Sequence, residues 1–334
     1  MTVKLKPLNE QTIVITGATS GIGLATAEAA VAAGANVVLA ARNVDALAEV
    51  RSKLEQAGGK VETVAIDIAD KDGAARISAA AITAFGGFDT WVNNAAAATF
   101  GRLVDTSVED HERVFDVGYF GVVRGSLAAV EHLRSRGGAL INVGSILSER
   151  SVILQGPYGA MKHAVRGFTD SLRTEVEADG WPISVTLIKP SAMNTPFPEH
   201  ARNLLPKPAR LPPILYDPRL SAKAILFAAA HPRRELSIGG AGVAATKAAL
   251  LMPRLTDRIL EVAGRAMQQT DQQPPAGRVD NLYEPRAEAA VESEQDQYVR
   301  RTSLWLELQL RPWLPVAVLG GLGAAMAMAR PRRR

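Results

Sequence analysis

The chain contains no cysteine. That excludes disulfides, thiol catalysis and cysteine-ligated metal, and it fits a reducing compartment, so a cytoplasmic setting is expected. Aromatic residues are scarce at 5%, and none is interleaved with basic residues in the manner of a single-strand nucleic-acid binder. The formal charge of +4 sits largely in the last five residues, Arg330-Pro331-Arg332-Arg333-Arg334, and so describes a tail and not a nucleic-acid-binding face. The five histidines (His111, His132, His163, His200 and His231) are scattered without ligand spacing, so no metal site is expected. No G-x-S-x-G elbow surrounds Ser145, whose context is VGSIL, and this argues against a hydrolase. MTVKLKPLNEQTIVITG has no apolar signal core ahead of its first strand-like run, so no secretory leader is expected. No internal repeat is found.

Long hydrophobic runs are also rare. One stands out, WLPVAVLGGLGAAMAMA at 313–329, between Arg311 and the terminal arginines. Its seventeen residues are at the lower limit for a membrane span. Gly320 and Ala324 would suit helix–helix packing, and Trp313 with the flanking arginines would suit interfacial anchoring. The run reads either as a membrane contact or as a soluble helix packed on a partner or on the rest of the chain.

What is present is ample for a core. The 334 residues are 47% apolar, and a chain of this length needs no staples. Short apolar runs recur at 12–16, 36–40, 61–66, 89–92, 139–143 and 183–188. They lack clean alternation, as strands buried on both faces should. Helical stretches lie between them, at roughly 21–33, 44–57, 71–85, 107–134 and 157–179. Strand alternating with helix predicts an α/β fold, a doubly wound parallel sheet covered on both faces. After residue 190 the texture changes. Seven prolines within 194–218 forbid a regular helix or a central strand there, leaving a connector or a loop over a pocket. A helix at about 219–230 and one more strand in ELSIGG follow. Residues 271–298 are polar and aperiodic, an extended or partly disordered arm. The division expected is a catalytic domain at 1–240, a helical or irregular extension at 241–310 and the apolar tail at 311–334.

TIVITGATSGIG is a strand, a glycine turn and a helix start, with Gly17, Gly21 and Gly23 spaced G-x-x-x-G-x-G. Glycines permit a tight turn and a close backbone approach to a pyrophosphate, and the helix start adds free N–H donors. The second strand ends Ala40-Ala41-Arg42. An acid there would hold the ribose 2′-OH of NAD; a guanidinium suits a 2′-phosphate, so NADP is favoured over NAD. Tyr158 and Lys162, in YGAMK, share one helix face at i and i+4. A nearby ammonium favours phenolate and should lower the tyrosine pKa. Ser145 follows the strand ALINV at the edge of the sheet where ligands bind, and its hydroxyl could hold a substrate carbonyl.

Together these motifs resemble the short-chain dehydrogenase/reductase family, in the branch marked by TGxxxGxG and YxxxK. The matching residues are Thr16 to Gly23, Asp67 after the third strand, Asn93-Asn94-Ala95 after the fourth, Ser145 with twelve residues before Tyr158, and Lys162. The resemblance spans about residues 8–240. It implies a Rossmann-like fold, Tyr158 as general acid/base, Lys162 lowering its pKa and binding the nicotinamide ribose, and Ser145 orienting the carbonyl. It implies a cofactor site made of Gly17, Thr19, Ser20, Gly21, Ile22, Gly23, Arg42, Asp67, Ile68, Asn94, Ala95, Tyr158, Lys162, Pro190 and Thr195. A small carbonyl/alcohol substrate is implied, an apolar one by the candidate pocket residues Phe100, Leu147, Ile153, Leu154, Met193 and Phe197, and a homo-oligomer is implied as well.

The chain departs from the family pattern in one place that bears on mechanism. Gly118 stands where an asparagine normally supports a water linking the lysine to solvent. A glycine permits a kink and leaves its carbonyl free, so Gly118→Asn is expected to preserve or raise the rate. The competing reading is a dinucleotide-binding sensor with little turnover.

Overall fold

The computed structural model describes residues 3–273, 279–286 and 289–311. Seven strands form the central sheet: β1 (Thr12–Thr16), β2 (Asn36–Ala41), β3 (Val61–Ala65), β4 (Thr90–Asn93), β5 (Gly138–Val143), β6 (Ile183–Pro190) and β7 (Glu235–Ile238). Every pairing is parallel, and the order across the sheet is β7-β6-β5-β4-β1-β2-β3. β1, β5 and β6 are buried along their whole length because helices cover both faces. Side chains alternate between two cores. Ile13 and Ile15 enter one hydrophobic cluster and Val14 the other, as a period of two requires.

The connecting helices are α1 (Gly21–Ala32), α2 (Val44–Gln56), α3 (Gly73–Phe85), α4 (Val108–Phe115), α5 (Gly121–Leu133), α6 (Gly156–Ala178) and α7 (Arg219–Ala230). Local chemistry sets their ends. Asn43 caps α2 by accepting from Ala46 N at 2.8 Å, Ser107 caps α4 by accepting from Asp110 N at 3.2 Å, and Gly86 ends α3 with φ +76°. The single helix expected over 107–134 is not continuous. Between α4 and α5 the backbone widens into a π turn at Asp116–Phe120, closed by Gly121 N donating to Asp116 O. Such insertions mark functional sites more often than chance, and Gly118 lies inside this one.

The strand order reverses its winding direction between β1 and β4. Loops leaving the C-terminal ends of these neighbours diverge to opposite faces and leave a crevice, where open parallel sheets hold ligands.

Beyond β7 come α8 (Gly240–Leu251), α9 (Pro253–Gln268), the arm, and α10 (Leu304–Leu310). The arm joins the body by a two-residue parallel strand, Val299–Arg300, beside Leu215–Tyr216. Leu306 and Leu310 of α10 are buried in the same cluster as Ile13 and Ile15. The apolar run 313–329 lies outside the described residues. Among those described, no helix is long and apolar enough to cross a membrane.

Candidate active site

The glycine turn sits at the mouth of the crevice. Gly17 and Gly21 have φ of +64° and +53°, a region that side chains other than glycine rarely adopt. At Gly23 the constraint is contact: a Cβ there would lie 2.1 Å from the Gly17 carbonyl oxygen and 2.6 Å from Asn94 Nδ2. Asn94 stitches the turn to β4, donating from Nδ2 to the carbonyls of Thr16 (2.9 Å) and Gly17 (3.1 Å). Thr16 Oγ1 in return accepts from Asn94 N and Ala95 N, at 3.0 and 3.1 Å. A close backbone turn opening on the first amides of α1 is a cradle for an anion.

Across the crevice, β5 ends at Val143 and Ser145 follows. Ser145 Oγ accepts from Leu147 N at 3.1 Å and is hydrogen-bonded to Tyr158. Pro157 is the second residue of α6, where its missing N–H costs nothing, and it sets Tyr158 in the first turn. One turn on, Lys162 is buried, donates from Nζ to the Val143 carbonyl at 2.6 Å, and stands 5.6 Å from the centre of the Tyr158 ring. A buried polar ladder fixes α6 to the sheet. Trp91 Nε1 donates to Asn93 Oδ1, Asn93 Nδ2 to Asn142 Oδ1, and Asn142 Nδ2 to Thr169 Oγ1, at 2.8, 2.8 and 2.9 Å. The sequence reading took neither Asn142 nor Thr169 into account; both are polar residues in otherwise apolar or helical runs, which was the available signal.

The expected lowering of the tyrosine pKa is not what the protein by itself produces. Burial pushes Tyr158 up to about 12, partly offset by the Ser145 hydrogen bond, and burial pushes Lys162 down to about 7. Desolvation disfavours both charged forms, and it outweighs the attraction between them here.

One cavity of about 540 Å³ takes in all of this. Thr19, Ser20, Gly21, Ile22, Arg42, Asp67, Ile68, Asn94 and Ala95 line one end; Ser145, Tyr158, Lys162, Pro190 and Thr195 line the middle. Gly17 lines it as well, and Gly23 supports the turn from behind. The far end is apolar, with Leu147, Met193 and Phe197 on its wall. Leu211 to Ile214 also line it, so the proline-rich segment is a pocket loop. Phe100, Ile153 and Leu154 are not on the wall. Phe100 is buried with its ring 6.1 Å from that of Phe197, Ile153 packs on Gly264 of α9, and the Leu154 carbonyl accepts from Gly101 N at 2.9 Å. The wall also crosses position 240, because Ala241 and Ala245 of α8 and Thr256 and Leu260 of α9 complete it. Gln268 Nε2 ties α9 to this rim through the Ile153 carbonyl at 2.7 Å.

The arm contributes most of what sequence reasoning missed. It lies across the end of the cavity marked by Arg42. Arg42 Nη1 donates to the Tyr283 carbonyl at 2.8 Å and its Nη2 to the Asn281 carbonyl, while Gly21 N donates to the Ala290 carbonyl at 2.9 Å. Leu282 is fully buried in the same cluster as Ile68 and Val117. Arg113 holds the Leu282 carbonyl at 2.9 Å and pairs with Asp67, and the Tyr283 hydroxyl donates to Asp110 at 2.9 Å. Burial lowers the pKa of Arg42, with Asp67 opposing the shift. The signal for this was Leu282-Tyr283, an apolar pair within a polar stretch.

Gly118 faces α6 at contact distance. A Cβ there would meet Met161 Cε at 2.5 Å, Sδ at 2.7 Å and Cγ at 3.0 Å, and Met161 is fully buried beside Lys162. Cε and Sδ are the far end of a flexible side chain, so the expectation that Gly118→Asn preserves or raises the rate requires the Met161 thioether to take another rotamer. The substitution should cost about 1 kcal/mol, the low end for overpacking, as the Met161 thioether shifts, and leave turnover in place. Denaturant unfolding checks it: Met161→Ala should restore part of the loss in the double variant, and an unchanged midpoint in Gly118→Asn would refute it.

A doubly wound parallel sheet, an anion cradle at its switch point and a serine, tyrosine and lysine gathered around one cavity define the class, an NAD(P)-binding oxidoreductase with a Rossmann-like fold. The short chain dehydrogenase family model matches residues 11–204. Over 333 residues the chain is 42% identical to the uncharacterized oxidoreductase YxnA of Bacillus subtilis, covering 99% of this chain and 94% of that one. It is similar to the L-sorbose reductase of Gluconobacter frateurii solved with NADPH and L-sorbose, at 27% identity and a TM-score of 0.61, covering 72% of this chain and 98% of that one. A short chain dehydrogenase/reductase from Burkholderia phymatum, solved with NAD, shares the fold at 24% identity and a TM-score of 0.65, covering 81% and 100%. The protein belongs to the short-chain dehydrogenase/reductase family and is an oxidoreductase.

Proposed function

We propose that the enzyme transfers hydride reversibly between NADP(H) and an apolar alcohol/carbonyl pair. The observation that carries this reading is the single cavity joining the glycine turn and Arg42 to Ser145 and Tyr158, with an apolar far wall. The residues fit a dinucleotide: the contact at Gly23 leaves no room for a side chain, and a cavity of about 540 Å³ is within the usual range for a bound cofactor. Bound there, the dinucleotide supplies the hydride at its nicotinamide C4. The α1 amides beyond Gly21, whose own N–H is taken by the Ala290 carbonyl, would hold the pyrophosphate. Ser145 Oγ orients the substrate oxygen, and Tyr158 Oη gives that oxygen its proton in reduction and takes it back in oxidation. Lys162 stands behind the tyrosine ring and binds the nicotinamide ribose. Leu147, Met193 and Phe197 exclude water around the carbonyl.

NADP is the cofactor assigned because Arg42 directly follows β2, at the place where an acid would hold the ribose 2′-OH of NAD. The two arm carbonyls use two of the five N–H groups a guanidinium carries and hold its plane still. Arg42→Asp should lower the NADP/NAD ratio of kcat/KM by about ten- to a hundredfold, the value of one or two charge-assisted hydrogen bonds. The ratio is the proper readout, since loosening the arm affects both cofactors alike. An unchanged ratio removes Arg42 from the 2′-phosphate site. The reaction itself is tested by following NADPH absorbance with a panel of aldehydes and ketones. Consumption with apolar carbonyls supports the reading; tight NADPH binding without consumption across the panel supports a sensor instead.

A further inference from the structure

The hairpin of α8 and α9 is two-sided. Its inner face closes the cavity through Ala241, Ala245, Thr256 and Leu260. Its outer face carries Leu250, Leu251, Met252, Leu255, Ile259 and Val262, each between 50% and 84% exposed. Leu255, Ile259 and Val262 recur at spacings of four and three and form one stripe along α9, and Leu251 at the end of α8 extends the apolar patch across the hairpin turn. Single exposed apolar residues are ordinary, but a contiguous stripe marks an interaction surface.

The charges beside the stripe select its occupant. Arg254, Arg258 and Arg265 fall within an arc of about 40° on one flank of α9, taking 3.6 residues per turn. All three are exposed. The helix carries two acids against them, Asp257 and Glu261; Asp257 is tied to Arg150 at 2.5 Å and also stands 4.0 Å from Arg254. A helix with an apolar stripe and arginines along one border is built to lie in a lipid headgroup region. A second copy packed antiparallel, about a two-fold axis perpendicular to α9, would bring this arginine border against its own image, like charge facing like. The apolar run 313–329 is itself bordered by Arg311 and the terminal arginines, and laid on the stripe it would add to the same positive charge.

We propose that the outer face of α8–α9 seats on an anionic lipid surface, with Leu251, Leu255, Ile259 and Val262 entering the interface and Arg254, Arg258 and Arg265 contacting headgroups. The helix that walls the cavity then lies at the membrane boundary. The proposal is independent of the redox reading, because its test needs no turnover.

The test is sedimentation of the full chain with vesicles of phosphatidylcholine alone or mixed with phosphatidylglycerol. The chain should co-sediment with the anionic vesicles at low salt and be released as salt rises. The variant carrying Leu255→Ser, Ile259→Ser and Val262→Ser should lose at least fivefold in bound fraction, and so should that carrying Arg254→Glu, Arg258→Glu and Arg265→Glu. These residues are exposed, and far-ultraviolet circular dichroism checks that both variants fold. Three results would overturn the proposal: no vesicle binding by the full chain; equal binding by the serine variant, which assigns attachment to 313–329; or a stripe-dependent dimer by analytical ultracentrifugation without vesicle binding, which assigns the face to a second copy.

Discussion

Replacing Tyr158 by phenylalanine should lower kcat by about 10²- to 10⁴-fold while leaving cofactor affinity within a few fold. The substitution removes one oxygen and nothing else. The ring stays packed at 5.1 Å from Phe197 and 5.6 Å from Lys162 Nζ, so the cavity keeps its shape. What disappears is the group that exchanges a proton with the substrate oxygen, and the Ser145 hydroxyl loses its partner. General acid/base groups contribute about 10²- to 10⁴-fold, and a loss in that range is expected in kcat at unchanged KM for cofactor. The pH dependence carries the same logic. The tyrosine pKa of about 12 without cofactor keeps the phenol protonated through the neutral range. Reduction, which uses the acid, should therefore hold its rate toward low pH, and oxidation, which uses the base, should rise with pH. A Tyr158→Phe enzyme of wild-type kcat, or an oxidation rate that ignores pH, would remove the tyrosine from the proton transfer.

Gly23→Ala should cost dinucleotide affinity about a hundredfold, roughly 3 kcal/mol. The added methyl would sit 2.1 Å from the Gly17 carbonyl oxygen. That oxygen cannot simply rotate away. It accepts from Asn94 Nδ2, and Gly17 N is held by the Ala40 carbonyl at 2.8 Å. The turn must open, which pulls the first amides of α1 out of line with the pyrophosphate. Most of the sheet is remote from the change, so the fold should survive with a modest loss of stability, of about 1–3 kcal/mol as for other overpacked sites. Calorimetric titration with NADPH checks the affinity, and thermal melting checks the fold. Wild-type affinity would mean that the pyrophosphate is not held by this turn.

Local patterns carried much of this fold. Each apolar run became a strand of the sheet, because a strand covered on both faces reads as a mostly continuous apolar run. The glycine spacing and the YxxxK pair were legible for the same reason: a turn and a single helix face are defined by neighbours in the chain. Gly118 shows the boundary of such reading. Its spacing exposed the missing asparagine, and the π turn around it agrees with the kink a glycine permits. That Met161 already fills the space comes from the opposite helix, and nothing near residue 118 in sequence announces it.

The sequence by itself determined the doubly wound sheet, the anion cradle and the tyrosine–lysine face, since each follows from periods of two, 3.6 or a fixed turn. Tertiary structure alone decided that Asn281, Tyr283 and Ala290 lie over Arg42 and Gly21, that α8 and α9 complete the cavity, and that burial moves Tyr158 and Lys162 toward their neutral forms. Those contacts join positions up to some 270 residues apart, as Gly21 N and the Ala290 carbonyl do. Their energies depend on desolvation and close packing, which no local period encodes.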